Sequence, residues 1–169
     1  MAALSGWLTD CAAVGTTTPA TSGEACVDWV IFESPDEAAA DAGAVLRGSV
    51  VEREGAAPPF SVEAHRWLFD VEEVLERPEP PGGVEPSPEV EVAPGERVAV
   101  VSTPETCREG GLYPGGDPLD PATGLAAADG SVIVLLSEGD GQGGGGELHL
   151  ITPVQGVLTP DEDGSRLAG

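Results

Sequence analysis

Apolar positions along the chain fall into short, separated segments, and their spacing changes character at Gly43. Upstream, Cys26-Val-Asp-Trp-Val-Ile-Phe32 is a brief apolar stretch that runs into Glu33-Ser34-Pro35-Asp36-Glu37 and then an alanine-rich stretch, residues 38–42. Ser34 is placed to cap the following amides, and Pro35 occupies the first helical position, where a missing N–H costs nothing. Glu37 stands three residues after the cap, as a capping box requires. These signals predict a helix of about two turns, stopped near Gly43.

Beyond Gly43 the period shortens to two. Residues 44–53 read as a strand, residues 55–59 as a turn, and residues 60–77 as the longest periodic segment. Within it Phe60, Val62 and Ala64 share one phase, whereas Trp67, Phe69 and Val71 share the other. A slip of one around His65-Arg66 is what a β-bulge or strand bend produces. Two strands with a tight connection would also produce it, and Leu68, Val71, Val74 and Leu75 would share a face of a helix over residues 66–77. Alternation upstream and the branched residues favour strand.

Residues 78–89 hold too many prolines for a core element and read as a loop. Glu91-Val92 is a minor strand candidate, and residues 97–103 are a strong one ending at Pro104. A long Gly/Asp/Pro-rich excursion over 108–130 carries a small apolar patch near residues 125–128. Residues 131–136 form the most hydrophobic segment and predict a central strand. The glycine tract at 138–146 reads as a hairpin loop, residues 147–151 as the return strand, and residues 154–158 as a last short strand. With crossover helices missing, the elements predict a mainly β fold: a small five- to six-stranded barrel with one short N-terminal helix and long Gly/Pro/Asp-rich loops. Residues 1–25 are expected to be a flexible tether or signal remnant, 26–160 the barrel domain, and 161–169 an acidic flexible tail.

Composition narrows the function classes. The chain of 169 residues has room for one domain with a real core. Its 30 acidic residues against 7 basic ones, all arginine, give a formal charge of -23. A nucleic-acid binder must neutralise phosphates, so the balance argues against one and toward cations or a basic extracellular protein as partner. No apolar run approaches the roughly 18 residues of a membrane span.

Candidate chemistry is sparse. Cys26 precedes the first ordered segment and Cys107 follows a strand, so a Cys26–Cys107 disulfide would tie the domain's entry to the loop after residues 98–103, leaving Cys11 over. Three separate thiols in a reducing compartment are the alternative. His65 and His149 could each serve a small hydrolase or metal-dependent enzyme, although no Gly-x-Ser-x-Gly elbow accompanies them. Asp117 with Asp120, and Asp161 with Asp163, bring hard oxygen ligands together as calcium needs, but neither matches the twelve-residue calcium loop, and solvated acidic loops are the favoured reading. The Gly143–Gly146 run lacks the Lys-Ser/Thr of a phosphate loop, and nothing calls for a cofactor.

The run Val45-Leu46-Arg47-Gly48-Ser49-Val50-Val51-Glu52, the long segment ending Phe69-Asp70-Val71-Glu72-Glu73-Val74-Leu75, Val98–Thr103 with Cys107, and the late segments Val132–Leu136, Leu148–Ile151 and Gln155-Gly156-Val157 together resemble small exported actinobacterial proteins. Their fold is similar to the OB-type (NTR-like) barrel of netrin modules and tissue inhibitors of metalloproteases. The resemblance spans roughly residues 26–160. It implies an exported, secreted or cell-surface, non-enzymatic binding or scaffold module, with Cys11 as the site of a lipid anchor to the membrane. The inhibitors' closely spaced N-terminal cysteines have no counterpart at Cys11 or Cys26, so protease inhibition does not carry over. The absence of lysine is what an intracellular acidic protein adapted to high salt would also show.

Overall fold

A computed structural model describes residues 29–56, 64–80, 82, 85, 87–104, 111, 113, 115–126, 130–139 and 147–160. All three cysteines, together with Asp161 and Asp163, lie outside the described residues. The elements run α1 (Pro35–Asp41), β1 (Ala44–Ala56), β2 (His65–Val74), β3 (Arg97–Ser102), β4 (Val132–Glu138), β5 (Leu148–Leu150) and β6 (Val157–Leu158). The sheet has the order β1-β2-β3-β5-β4-β6, and β1 also pairs with β4, which closes the first five strands into a barrel. All pairings are antiparallel except β3 with β5. This is a small OB-like barrel with one added strand.

Helix α1 begins where its capping signals place it. Ser34 Oγ accepts the Glu37 amide at 3.2 Å and Pro35 is the first helical residue. The returning arm of the box differs from the expected one: Glu37 Oε2 accepts from the amide of Glu33, at 2.7 Å, rather than from that of the cap itself. The chain leaves the helix at Ala42 in an extended conformation, without a left-handed glycine.

Strand β4 is buried on both faces, which explains its unbroken apolar run. Val132, Val134 and Leu136 point into the barrel with Leu46, Trp67, Phe69, Val71, Val100, Leu148 and Leu150. Ile133 and Leu135 face outward and pack under Ala38 and Ala39 of α1 and Ala42 at its end, with Phe32 and Val45. Gln155 fixes the chain entering the helix, donating to Phe32 O at 3.0 Å and accepting from its amide at 2.9 Å.

The second phase of the predicted long segment is the inward one: Trp67, Phe69 and Val71 are all buried. Phe60 and Val62, which carry the first phase, lie outside the described residues; along the β1–β2 pair the register slips between Arg47 and Gly48, Val50 and Glu52, and Arg53 and Gly55, the last opposite Arg66 and Trp67. At the first slip the strands approach so closely that a Cβ on Gly48 would lie 2.0 Å from the Asp70 carbonyl oxygen. Glu91-Val92 forms no strand. Val90 and Val92 pack against the barrel core from an irregular segment, and the Val90 amide donates to Gly43 O at 3.0 Å.

Candidate functional site

The 115–126 segment between β3 and β4 turns inward at residues 117–119, where Leu119 is fully buried among the barrel-core side chains. Two residues earlier, Asp117 is 7% exposed and collects four donors. His65 Nδ1 lies 2.6 Å and Trp67 Nε1 2.9 Å from Oδ2, while Ser102 Oγ lies 2.9 Å and the Leu119 amide 3.0 Å from Oδ1.

Strand geometry assembles this cluster. His65 and Trp67 are two apart on β2 and so share a face. Their rings meet edge to face with centroids 6.4 Å apart. Ser102 ends β3 directly opposite His65 in the register. Asp117 enters from the loop, and its bond to the Leu119 amide is an Asx turn two residues on. A carboxylate oxygen has about two lone-pair sites, and each oxygen of Asp117 takes two donors. A bond from His65 to this carboxylate requires the imidazole hydrogen on Nδ1.

Hydrolytic triad chemistry needs the serine hydroxyl on one imidazole nitrogen and the carboxylate on the other. Here Ser102 and His65 both address the carboxylate, so the hydroxyl hydrogen goes to Asp117 and not to the base.

Asp117 and Asp120, the pair read from the sequence as candidate calcium ligands, both accept hydrogen bonds from neighbouring groups. Asp117 faces donors on both oxygens, and Asp120 accepts from the Ala122 amide and from Thr123 Oγ1, each at 2.8 Å. The Ala122 amide, and then the Thr123 hydroxyl, hold the Asp120 carboxyl below the usual range, with smaller help from the nearby charges of His65 and Arg53. No group of three or more His, Cys, Asp and Glu among the described residues is arranged to hold a metal ion. The aspartates at 161 and 163 and the proposed disulfide and lipid cysteines fall outside the described residues.

His149 is separate from this cluster. It lies on β5 opposite Val101 of β3 and Ser137 of β4. Glu147 stands between it and Arg66 of β2, with one carboxylate oxygen ion-paired to the Arg66 guanidinium and the other 3.7 Å from His149 Nε2. Burial pushes the His149 imidazole below its ordinary value; Glu147 opposes that shift and Arg66 adds to it. The two histidines therefore do not converge on one cavity.

Sequence reasoning singled out Asp117 and His65 but missed Ser102 and Trp67 as their partners. Two signals were present: Asp-Pro-Leu is an Asx-turn sequence, and an inward-facing tryptophan must find an acceptor for its N–H.

Together the closed barrel and the saturated carboxylate define a mainly β, OB-like barrel domain pinned by a loop. No protein-family model matches the chain, and neither a curated relative nor a solved structure matches it.

Proposed function

We propose that this chain is an exported, surface-tethered β-barrel module that binds or scaffolds an extracellular partner and performs no catalysis of its own. One observation carries the non-catalytic part: Ser102 spends its hydroxyl hydrogen on Asp117, the same group that holds His65, so the residues a hydrolase would use are consumed in a structural joint. The positions of Cys26 before one apolar segment of the sequence and Cys107 after another, with Cys11 further upstream, support export and anchoring. A formal charge of -23 favours cations or a basic protein surface as partner.

Mass spectrometry of the protein from its native host tests the reading, combined with non-reducing peptide mapping, membrane and cytosol fractionation, and labelling by a fluorophosphonate. The expected result is a Cys26–Cys107 linkage, a lipid on Cys11 at a new N-terminus, and no label on Ser102. Three free thiols in a chain starting at Met1 would overturn export. A label on Ser102 would overturn the non-catalytic assignment.

A further inference from the structure

Single large aliphatic side chains in solvent are ordinary, whereas adjacent ones held in water call for a reason. Among the described residues, Val51, Val74, Leu125 and Val154 are 40% or 41% exposed and none adjoins another in the chain. Val30 and Ile31 differ. They are consecutive, and at 62% and 71% they are the most exposed large apolar residues described.

Their position is fixed by a joint. Phe32, the next residue, is buried with Ile133 and Leu135 beneath α1, and the Gln155 side chain takes both of its backbone groups, as a neighbouring strand would. Gln155 is braced in turn: its amide donates to Thr152 Oγ1 at 2.8 Å, and the next residue, Gly156, accepts from the Leu135 amide of β4 at 2.8 Å. Ile31 and Val154 each stand one residue before a partner in this joint, so the joint gathers the exposed apolar side chains at one place on the surface.

Charge on the two segments has one sign. Glu33 and Asp36 are exposed just beyond Ile31, and residues 29–42 and 151–160 contain no arginine. Arg47 and Arg77 reach this side of the barrel from β1 and from beyond β2, and both are engaged, Arg47 with Glu73 at 2.9 Å and Arg77 with Ala42 O at 2.8 Å.

We propose that Val30, Ile31 and Val154 dock a basic amphipathic segment of the extracellular partner, its aliphatic side chains seated on these three residues and its Lys or Arg set against Glu33 and Asp36. This rests on the reading of the chain as a binding module and names the chemistry its partner must carry. Aliphatic residues held in place before binding contribute burial with little ordering cost, and the carboxylates select the sign of the partner. The same carboxylates repel an anionic bilayer.

Titration of the full chain with a synthetic leucine–lysine amphipathic peptide, beside a serine–lysine peptide of equal length and charge, tests this by fluorescence anisotropy. The leucine peptide should bind at least about tenfold more tightly than the serine peptide, and that difference should vanish in the Val30→Ser/Ile31→Ser double variant. Both substitutions are at exposed positions, so the thermal midpoint of the variant should stay that of the native chain. Val51→Ser, which removes an exposed valine elsewhere, should leave the difference intact. Glu33→Gln/Asp36→Asn should weaken the leucine peptide at low salt and matter less at high salt. Equal binding of the two peptides, a difference that survives Val30→Ser/Ile31→Ser, or an affinity indifferent to Glu33 and Asp36 would each overturn the proposal. Sedimentation of the chain alone and with phosphatidylcholine vesicles covers the other occupants: a dimer or a vesicle complex that disappears in Val30→Ser/Ile31→Ser would assign the face to a second copy or to a bilayer and overturn the basic partner. None of these readouts depends on the cysteine linkage or on a lipid at Cys11, so export and docking can each fail without the other.

Discussion

Ser102 and Asp117 share a hydrogen bond of 2.9 Å at the point where β3 leaves the barrel, and the bond commits both residues to structure. The Asp117 carboxylate joins the 115–126 segment to the start of β2, since His65 and Trp67 bind the same oxygen. Removing it leaves a buried indole N–H, a hydroxyl and an amide without their acceptor. Asp117→Ala should therefore destabilise the fold by about 3–5 kcal/mol, as breaking a buried charged network does. Urea unfolding should show this as a lower midpoint with an unchanged slope. A loss well below about 1 kcal/mol would mean that the donors find water instead.

Leu119 tests the apolar half of the same joint. It is fully buried in the barrel core although it belongs to a loop, so Leu119→Ala should cost about 2–5 kcal/mol through lost burial and the cavity left behind. Asp117 and Leu119 pin one short turn, and once either is gone the other has less left to hold. The double variant should thus lose less than the sum of the singles by about 0.5–3 kcal/mol. Strict additivity in a double-mutant cycle would show two independent anchors.

Local patterns made the barrel legible, and long-range pairings decided what was not. Ser34-Pro35 and Glu37 specify α1 through contacts within four residues. The continuous run Val132–Leu136 announces a strand covered on both sides without saying what covers it; α1 on one face and the barrel core on the other supply the answer. Asp117 shows the opposite case. Its spacing from Asp120 suits a cation, but its partners lie 50 and 52 residues upstream, and only the closed barrel brings those donors to it. The register slips between β1 and β2 were likewise hidden, because each is a property of the pairing between two strands rather than of the alternation within one.

Gly48 marks a close approach at one of those slips. A methyl group there would lie 2.0 Å from a backbone oxygen of Asp70 and 2.8 Å from the Phe69 ring, and neither backbone nor buried ring can yield cheaply. Gly48→Ala should cost about 3 kcal/mol or more, at the upper end of overpacking effects. Gly55 provides the control, since nothing lies within 4 Å of the corresponding position. Gly55→Ala should leave thermal unfolding essentially unchanged. Equal effects at the two glycines would move the origin of the bend away from steric contact.

Asp70 and Arg97 face each other directly across β2 and β3, and the guanidinium grips the carboxylate with both arms: Nε to Oδ1 at 2.5 Å and Nη2 to Oδ2 at 2.9 Å. Those hydrogen bonds, and then the charge of Arg97, hold the Asp70 carboxyl below its ordinary value. The folded chain consequently releases this proton more readily than the unfolded one. Its contribution to stability is present above the unfolded value of about 3.9 and disappears as pH falls through the lower folded value. Both side chains are exposed, so salt screens the pair and the stability change should be small. The titration itself is the better readout. Carboxyl-carbon NMR should place the Asp70 midpoint below that of ordinary aspartates, and Arg97→Gln should bring it back up toward them. A midpoint that ignores the loss of Arg97 would mean that the two-armed contact does not persist in solution.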